Sequence, residues 1–234
     1  MKKIAGCLAL VLAVTVAWPL SAAMTPPSQS VVGVLTKVIL EVVRKELGKD
    51  WIPAKRGESL GSGDVVKTGQ KSLAIIKFLD NSLIKVRENS ELTITGELKG
   101  GTFLKDVTLE RGVIGFNIQK QKQDEQFRFT SPASVASIRG TGGLFASGAA
   151  SDTLIVIEGI VNLTNLISTR SLDVTAGFTG ISSADGTVDV RPSTAAEKAL
   201  GEEGARATGR ENRLEFELRD SQGNRKKLKI DYNE

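Results

Sequence analysis

The chain has 234 residues, of which 40% are hydrophobic and 25% are charged, and its formal net charge is +4. This composition excludes a mainly disordered chain. The absence of histidine excludes His-dependent triads, histidine–metal ligation and imidazole pH switching. Only 5% of the residues are aromatic, with one Tyr and two Trp, so an aromatic-lined platform for RNA or glycans is poorly supplied. The composition therefore argues against an enzyme.

The first 23 residues have the pattern of an export signal. Lys2 and Lys3 form a positive start, residues 4–18 are an apolar run, and Ser21-Ala22-Ala23 supplies small residues for cleavage. The apolar run is shorter than the ~20 residues that a transmembrane helix needs. We therefore expect residues 1–23 to be a signal peptide cut after Ala23. The mature chain would be periplasmic or secreted, without a transmembrane span.

Cleavage would remove Cys7, the single cysteine, so the sequence predicts no disulfide. It would also remove Lys2 and Lys3 and lower the formal charge from +4 to +2. A weak positive charge on an exported chain does not favour nucleic acid as a partner.

The body of the chain alternates apolar and polar residues with a period of two. Ala74, Ile76 and Phe78 alternate, as do Ile84 and Val86 and then Leu92 and Ile94, with Asp80-Asn81-Ser82 and Glu88-Asn89-Ser90 as turns. This pattern predicts three adjacent strands in a meander. Its continuation predicts about a dozen short strands between residues 28 and 191, and hence an all-β sandwich or β-roll.

Two further features of the body bear on its architecture. Residues 38–49 fit either an amphipathic helix or the arms of a hairpin, and their β-branched content favours strands. Gly112 and Gly159 each precede an apolar strand, which is a faint repeat. Such a repeat is expected where similar β layers stack on one another.

The composition changes near Pro192. Residues 192–211 are rich in Ala, Glu and Gly without a large apolar stripe, which predicts a linker with at most a helical turn over Ala195 to Leu200. Residues 212–234 alternate around a central turn, which predicts a C-terminal β-hairpin. Because a lone hairpin is marginal in water, we expect it to dock on the body or on a partner.

Turn and strand segments follow one another in a characteristic order at 57–60, 63–69, 74–82, 109–113, Thr130-Ser131-Pro132, Ile138-Arg139-Gly140-Thr141, 157–161 and Ala176-Gly177. This order of segments resembles the FecR domain of bacterial envelope proteins. No single segment is specific, but their common order is. The resemblance implies a FecR-like β domain over residues 31–191, with its core at 57–177.

The resemblance marks a set of motif residues whose role is mainly structural. They are Gly63, Asp64, Thr68, Gly69, Asp80, Ser82, Pro132, Arg139, Gly140, Thr141, Glu158 and Gly159. The family is named for a transmembrane regulator of a sigma factor, with a cytoplasmic anti-sigma segment before its membrane span. Only 23 signal-like residues precede the mature region here, so direct binding of a sigma factor is not expected.

Individual residues leave alternatives open. Arg139, among glycines, either holds an anion, or it pairs with a nearby carboxylate or caps carbonyls while the glycines make a tight corner, and the second interpretation is favoured. Asp64, Asp80, Asp106 and Glu158 have oxygens that suit Ca²⁺, but no loop spacing supports a metal site, and turn capping is favoured. The basic run Arg225, Lys226, Lys227 and Lys229 either contacts an anionic partner or forms a solvated face.

The sequence therefore nominates no catalytic residue, cofactor or metal. It predicts an exported, non-catalytic binding module of the cell envelope that recognises a protein or an envelope polysaccharide, with sheet edges open to a partner strand. One alternative is an accessory of a sigma/anti-sigma signalling system. The other, weaker alternative is an envelope glycan hydrolase. The sequence does not determine the oligomeric state.

Overall fold

The computed structural model describes residues 31–206 and the backbone of two further strands at 212–219 and 225–232. The strands, in chain order, are β1 (Val31–Ile39), β2 (Val42–Lys45), β3 (Trp51–Pro53), β4 (Ser59–Gly61), β5 (Asp64–Thr68), β6 (Leu73–Phe78), β7 (Leu83–Val86), β8 (Glu91–Lys99), β9 (Thr102–Ile118), β10 (Glu125–Thr130), β11 (Ser134–Ile138), β12 (Thr141–Ser147), β13 (Ser151–Glu158), β14 (Ile160–Asn165), β15 (Ser171–Thr175), β16 (Phe178–Ser183), β17 (Val188–Pro192), β18 (Asn212–Arg219) and β19 (Arg225–Tyr232). One helix, α1 (Ala195–Ala205), follows β17. The all-β fold predicted from the sequence is confirmed.

Strands β1 to β17 form two layers that share the long strand β9. The first half of β9 pairs with β8 and β10, and its second half pairs with β7 and β12. Sheet A has the order β17-β16-β13-β12-β9-β7-β6-β1-β4, and sheet B has the order β3-β2-β5-β8-β9-β10-β11-β14-β15. All pairings are antiparallel except the parallel pairing of β9 with β10.

The core lies between the two sheets and contains a chain of phenylalanine rings. Phe78 of sheet A contacts Phe127 of sheet B edge-on, with ring centroids 5.0 Å apart, and Phe116 contacts Phe129 in the same way at 4.9 Å. Phe145 of sheet A stacks on Phe129 at 5.9 Å. Aromatic pairs at these distances stabilise beyond their buried area. Most of the aromatic residues whose side chains the structure describes are therefore buried in the interior.

The chain crosses repeatedly from one sheet to the other, and all but one of these crossings within residues 31–192 contain a residue with positive φ. Those residues are Leu40, Gly57, Gly63, Lys71, Asn89, Gly112, Gly140, Gly159 and Gly177, with φ between 54° and 105°. Glycine adopts this conformation without steric cost, and asparagine tolerates it. The glycines that the sequence marks as turns, including the repeated Gly112 and Gly159, therefore direct the chain between the layers.

The exception is the connection from β9 to β10, which is held by a buried ammonium group. Lys105, only 4% exposed, donates to Asp80 at 2.6 Å and to Glu125 at 3.2 Å. Gln121 donates to the same Asp80 oxygen at 2.9 Å. Burial raises the pKa of the Asp80 carboxyl, but hydrogen bonds from Lys105, Gln121 and the backbone of Ser82 outweigh it and lower the pKa. This network joins the β6–β7 turn of sheet A to the start of β10 in sheet B.

Residues 195–205 form helix α1 rather than part of a linker. Thr194 and Glu197 form a reciprocal capping box at its start. The hydrogen bond from Arg191, with those from Thr194, lowers the pKa of Glu197 to about 2. The helix packs on sheet A through Gly201 and Gly204, which are both buried.

Helix α1 packs closely on sheet A because glycines on both sides of the contact have no side chains to separate the backbones. A Cβ built on Gly115 of β9 would lie 2.5 Å from the Cα of Gly204, and one built on Gly142 of β12 would lie 3.0 Å from the Cβ of Ala205. At the end of the helix, Asn117 and Lys85 donate to the carbonyls of Ala205 and Glu203. The helix has no apolar stripe because backbone contact replaces large side chains.

Two local predictions need correction. Strand β8 does not continue a meander after β6 and β7, because the turn at Asn89 carries the chain into sheet B, where β8 pairs with β5 and β9. Residues 38–49 are extended, as their composition favours, but they are not the two arms of one hairpin. The chain turns at Leu40, so that β1 belongs to sheet A and β2 to sheet B.

The predicted C-terminal hairpin is present as β18 paired antiparallel with β19. Within the part of the chain that the structure describes, no helix has the length and apolar character needed to cross a membrane.

Replacing Gly177 by valine tests the role of positive φ at the crossings. The φ of Gly177 is 85° and a Cβ there would have no neighbour within 4 Å, so the backbone conformation alone opposes the change. We expect Gly177→Val to lower the free energy of unfolding by about 1–2 kcal/mol. Gly177→Asn is the matched control and should cost less. Equal stability of the valine variant and the parent in urea denaturation would contradict this role.

Replacing Lys105 by methionine tests the buried network. The change leaves Asp80 and Glu125 without their shared cation, and we expect a loss of about 3 kcal/mol at neutral pH. Because the folded-state pKa of Asp80 is lowered, its contribution is complete above the unfolded pKa of about 4 and is lost as the pH falls through the folded value.

The destabilisation by Lys105→Met should therefore shrink when urea denaturation is repeated in acid. Asp80→Asn, which cannot ionise, serves as the control and should remove the part of the pH dependence that comes from Asp80. A Lys105→Met penalty that does not change with pH would show that the ion pair is not its cause.

Candidate interaction site at the Arg139 corner

The motif residues before β6 lie at the two crossings that flank β5, from β4 to β5 and from β5 to β6. Gly63 has a φ of 91° between β4 and β5, and the buried Asp64 accepts a hydrogen bond from the backbone of Gly61 at 2.8 Å. Thr68 is buried, and its hydroxyl donates to the carbonyl of Arg87 and accepts from the amide of Ser90. The carbonyl of Gly69 accepts from the amide of Asn89. The contacts at these four positions hold the turns around β5.

The next motif residues also have structural contacts. Asp80 belongs to the Lys105 network, and the buried Ser82 accepts a hydrogen bond from the amide of Gln119 at 3.0 Å. Asn81, between them, has a φ of 66°, which explains how asparagine replaces a turn glycine there. Pro132 is exposed in the turn between β10 and β11.

The remaining motif residues meet at one corner, although they come from two segments of the chain. A Cβ built on Gly159 would lie 2.4 Å from the methyl group of Thr141 and 2.7 Å from the carbonyl oxygen of Gly140. Gly140 itself has a φ of 73° and lies against the backbone of Lys120. The crossings from β11 to β12 and from β13 to β14 are therefore in direct contact, and Gly159 cannot gain a side chain without displacing Gly140 or Thr141. A side chain on Gly140 would instead press on Lys120 in the β9–β10 connection.

Arg139 is exposed at this corner and makes no side-chain hydrogen bond or ion pair with the residues that the structure describes. It lines two grooves. One, of about 540 Å³, also includes Asn117, Lys120, Thr141 and Glu158. The other, of about 370 Å³, lies on the β10–β11 hairpin. The carboxylate pairing favoured for Arg139 is thus not observed, and the guanidinium group faces solvent between two concave surfaces.

The corner offers charge and hydrogen-bonding capacity to a ligand. Arg139 and Lys120 supply two cations without partners among the described residues, whereas Glu158 supplies one carboxylate. The hydroxyl of Thr141 is buried and has no hydrogen-bond partner. A free guanidinium binds a carboxylate through two parallel hydrogen bonds. The corner is therefore suited to an acidic side chain or chain end. Lys120 was not identified from the sequence, where it is one of several exposed lysines.

The carboxylates that suggested a calcium site are dispersed. Asp64 caps the turn at Gly61, Asp80 binds Lys105, Asp106 binds Arg128 and Thr130, and Glu158 lies at the Arg139 corner. Over residues 31–206 no three acidic or cysteine side chains gather closely enough to hold a metal ion. Turn capping explains the position of Asp64, and ion pairing explains the positions of Asp80 and Asp106.

The basic run of the C-terminal hairpin lies in β19. The register places Lys227 opposite Glu217 and Lys229 opposite Glu215, while Arg225 is opposite Arg219 and Lys226 opposite Leu218. Opposite charges directly across a ladder stabilise it. By backbone register, two of the four basic residues are therefore paired with acidic residues.

The fold resembles that of two crystal structures, each described as a "putative anti-sigma factor" from Parabacteroides distasonis. One shares 11% identity, covers 56% of this chain and 60% of its own, and has a TM-score of 0.48. The other shares 10% identity, covers 68% and 70%, and has a TM-score of 0.50. This chain thus spans about three fifths of the first structure. At such low identity the second likeness concerns the fold alone.

No curated protein matches the chain. The model of the FecR protein family matches residues 64–162. The match begins at Asp64 in β5 and ends in β14, so it includes the Lys105 network and the Arg139 corner, and it lies inside the domain expected from the sequence. Residues 64–162 therefore match a FecR domain, as the motifs predicted.

Proposed function

We propose that this protein is an exported, non-catalytic binding module of the bacterial cell envelope that recognises a protein partner through the Arg139 corner. The observation that carries the proposal is the exposed Arg139, which lies within a family motif and has no partner among the described residues. Most other motif residues are engaged in hydrogen bonds or turns. A motif position whose side chain has no internal role is best explained by an external one.

The proposed partner contributes an acidic segment. Such a segment would place a carboxylate on Arg139, with Lys120 as a second cation in the same groove. Contacts between charged groups of this kind determine partner choice and association rate more than total affinity.

A second candidate is an accessory role in sigma/anti-sigma signalling across the envelope. The FecR domain favours it, since the family is named for such a regulator, and the fold likeness to the P. distasonis protein is compatible with it. In that case the partner would be a membrane-bound anti-sigma protein. Its identity, once captured, distinguishes signalling from scaffolding.

Export is the part of the proposal that can be tested on its own. We expect the mature protein, isolated from its native host, to begin at Met24 and to lack Cys7. Intact mass measurement and N-terminal sequencing of the protein from the periplasm or medium would show this. Recovery of the full-length chain from the cytoplasm would contradict the assigned compartment.

The Arg139 corner is tested by site-specific photo-crosslinking in the host. We expect a photoreactive amino acid at Lys120 to crosslink one envelope protein, and Arg139→Ala to weaken capture of that protein about tenfold, because a charge-assisted contact is lost. The matched control is Arg170→Ala, since Arg170 is also exposed but lies on the β14–β15 turn. Equal loss of capture in both variants, or none in Arg139→Ala, would contradict the proposal.

A further inference from the structure

A second surface, separate from the Arg139 corner, lies at the opposite end of sheet B around Trp51. The edge strand β3 places Trp51 beside Lys45 of β2, and the outward row continues through Val65 of β5 and Thr93 of β8. The indole is 42% exposed, whereas the phenylalanines of the core are fully buried. A large aromatic ring is therefore held at the surface of a fold that places most of its aromatic area inside.

Two ammonium groups lie over the ring of Trp51. The Nζ atoms of Lys45 and Lys67 each lie 5.9 Å from the centroid of the Trp51 ring. Cations at this distance interact favourably with the electron-rich face of indole. Two such contacts restrict the motion of a side chain that would otherwise rotate freely at an edge strand.

A groove of about 530 Å³ runs from Trp51 across β5 and β8 to β9. Its far wall is made by Glu91, Glu110 and Arg111, and Thr93 contributes to its floor. Glu91 forms an ion pair with Arg111 at 3.0 Å. Among the residues that line the groove, Lys45 and Arg111 balance the two carboxylates, so the lining offers both donors and acceptors. Lys67, which lies beside Trp51 but outside the lining, adds one positive charge nearby.

Glu110 owes its position to an irregularity of the sheet. Glu91 is paired with Arg111 and Leu92 with Leu109, so Glu110 is an extra residue in β9 without a partner opposite. Bulges of this kind redirect a side chain and are common beside functional sites. The Glu110 carboxylate makes no hydrogen bond or ion pair with the described residues, and it lines the groove that faces Trp51.

We propose that this groove binds a neutral glycan, with one pyranose ring stacked on Trp51. A pyranose presents a C–H face that packs on an aromatic ring, and hydroxyl groups around its rim that both donate and accept hydrogen bonds. The groove supplies the ring on one side, and the carboxylate of Glu110, the guanidinium of Arg111 and the hydroxyl of Thr93 on the other.

A peptide is a poorer occupant of this edge. The amide of Ala54 donates to the carbonyl of Val42, so the alternation of the ladder directs the backbone groups of Trp51 and Pro53 away from β2. Pro53 has no N–H, and Trp51 is left as the one outward donor of β3. An added peptide strand would therefore make few backbone hydrogen bonds, and the balanced charges of the groove lining give no strong preference for a charged chain.

The proposal concerns binding and not cleavage. Hydrolysis of a glycosidic bond needs two carboxylates, one on each side of the bond. Glu91 is held by Arg111 and lies 3.7 Å from the ammonium group of Lys67, which leaves Glu110 as the free acid of the groove.

The fluorescence of Trp51 can report binding at this site. The chain has two tryptophans, Trp18 and Trp51, and the proposed cleavage after Ala23 removes Trp18, so the mature protein emits from Trp51 alone. The probes are cellotetraose, chitotetraose and maltotetraose, which are neutral tetrasaccharides of different linkage and substitution. We expect at least one of them to shift the Trp51 emission saturably, and calorimetry on the parent chain to give the same affinity.

Substitutions of the groove residues test whether the glycan binds there. We expect Glu110→Gln to weaken binding about tenfold in the fluorescence titration, and Trp51→Ala to do so at least equally by calorimetry. The control is Phe178→Ala, because Phe178 is 36% exposed on β16 of the other sheet. Circular dichroism would confirm that each variant is folded.

Several results would overturn the proposal. These are no saturable response to any of the three neutral tetrasaccharides, a response confined to acidic oligosaccharides, or binding that survives both Trp51→Ala and Glu110→Gln. Arg139→Ala should leave glycan binding unchanged, so failure at the Trp51 groove does not decide the function proposed for the Arg139 corner.

Discussion

The architecture depends on one backbone constraint, which is that the chain must turn sharply from one sheet to the other many times. All but one of these turns within residues 31–192 contain a residue in the left-handed region, where a β-branched side chain is strained. Glycine meets the need at most crossings, and Asn89, Lys71 and Leu40 meet it at the others. Once these turns are fixed, the alternation of side chains within each strand places the apolar set between the sheets. The shared strand β9 then joins the two sheets into one structure.

This constraint explains why the FecR motifs look like turns and why most of them have no chemistry. Arg139-Gly140-Thr141, Glu158-Gly159 and Ala176-Gly177 are all crossings between sheets B and A. The Lys105 network has the same task at the crossing without a positive φ, where an ion pair replaces backbone geometry. Arg139 differs because its neighbour Gly140 makes the turn while its own side chain remains exposed.

The two proposed surfaces lie at different places on sheet B and have different chemistry. The Arg139 corner has an excess of unpaired positive charge, whereas the Trp51 groove is balanced and contains an aromatic ring. Binding at the two sites could therefore occur together, so that a protein held on an envelope glycan would also present the Arg139 corner to a partner. The fold provides both surfaces without a deep cavity because strand ends and bulges, rather than a pocket, form them.

Much of the fold could be predicted from the sequence, because period-two alternation and glycine turns are local signals. The sheet to which each strand belongs could not, since Glu88-Asn89-Ser90 has the composition of a hairpin turn but directs β8 into the other layer. Helix α1 was missed because Gly201 and Gly204 pack it by backbone contact, which leaves no apolar stripe to detect. In the candidate site the motif nominated Arg139, Gly140, Thr141, Glu158 and Gly159. That the guanidinium group of Arg139 has no partner among the described residues, and that Lys120 lies near it, could not be predicted, because both depend on contacts between distant segments.

Hydrogen–deuterium exchange of the protein, alone and with the partner captured through Lys120, tests the central claim most directly. The claim is that the Arg139 corner is the recognition surface of this FecR domain. The account predicts that the partner slows exchange at the amides of residues 117–120 and 139–141, with little change along β3 and β8. Protection that is absent at the corner and confined to other surfaces would contradict it.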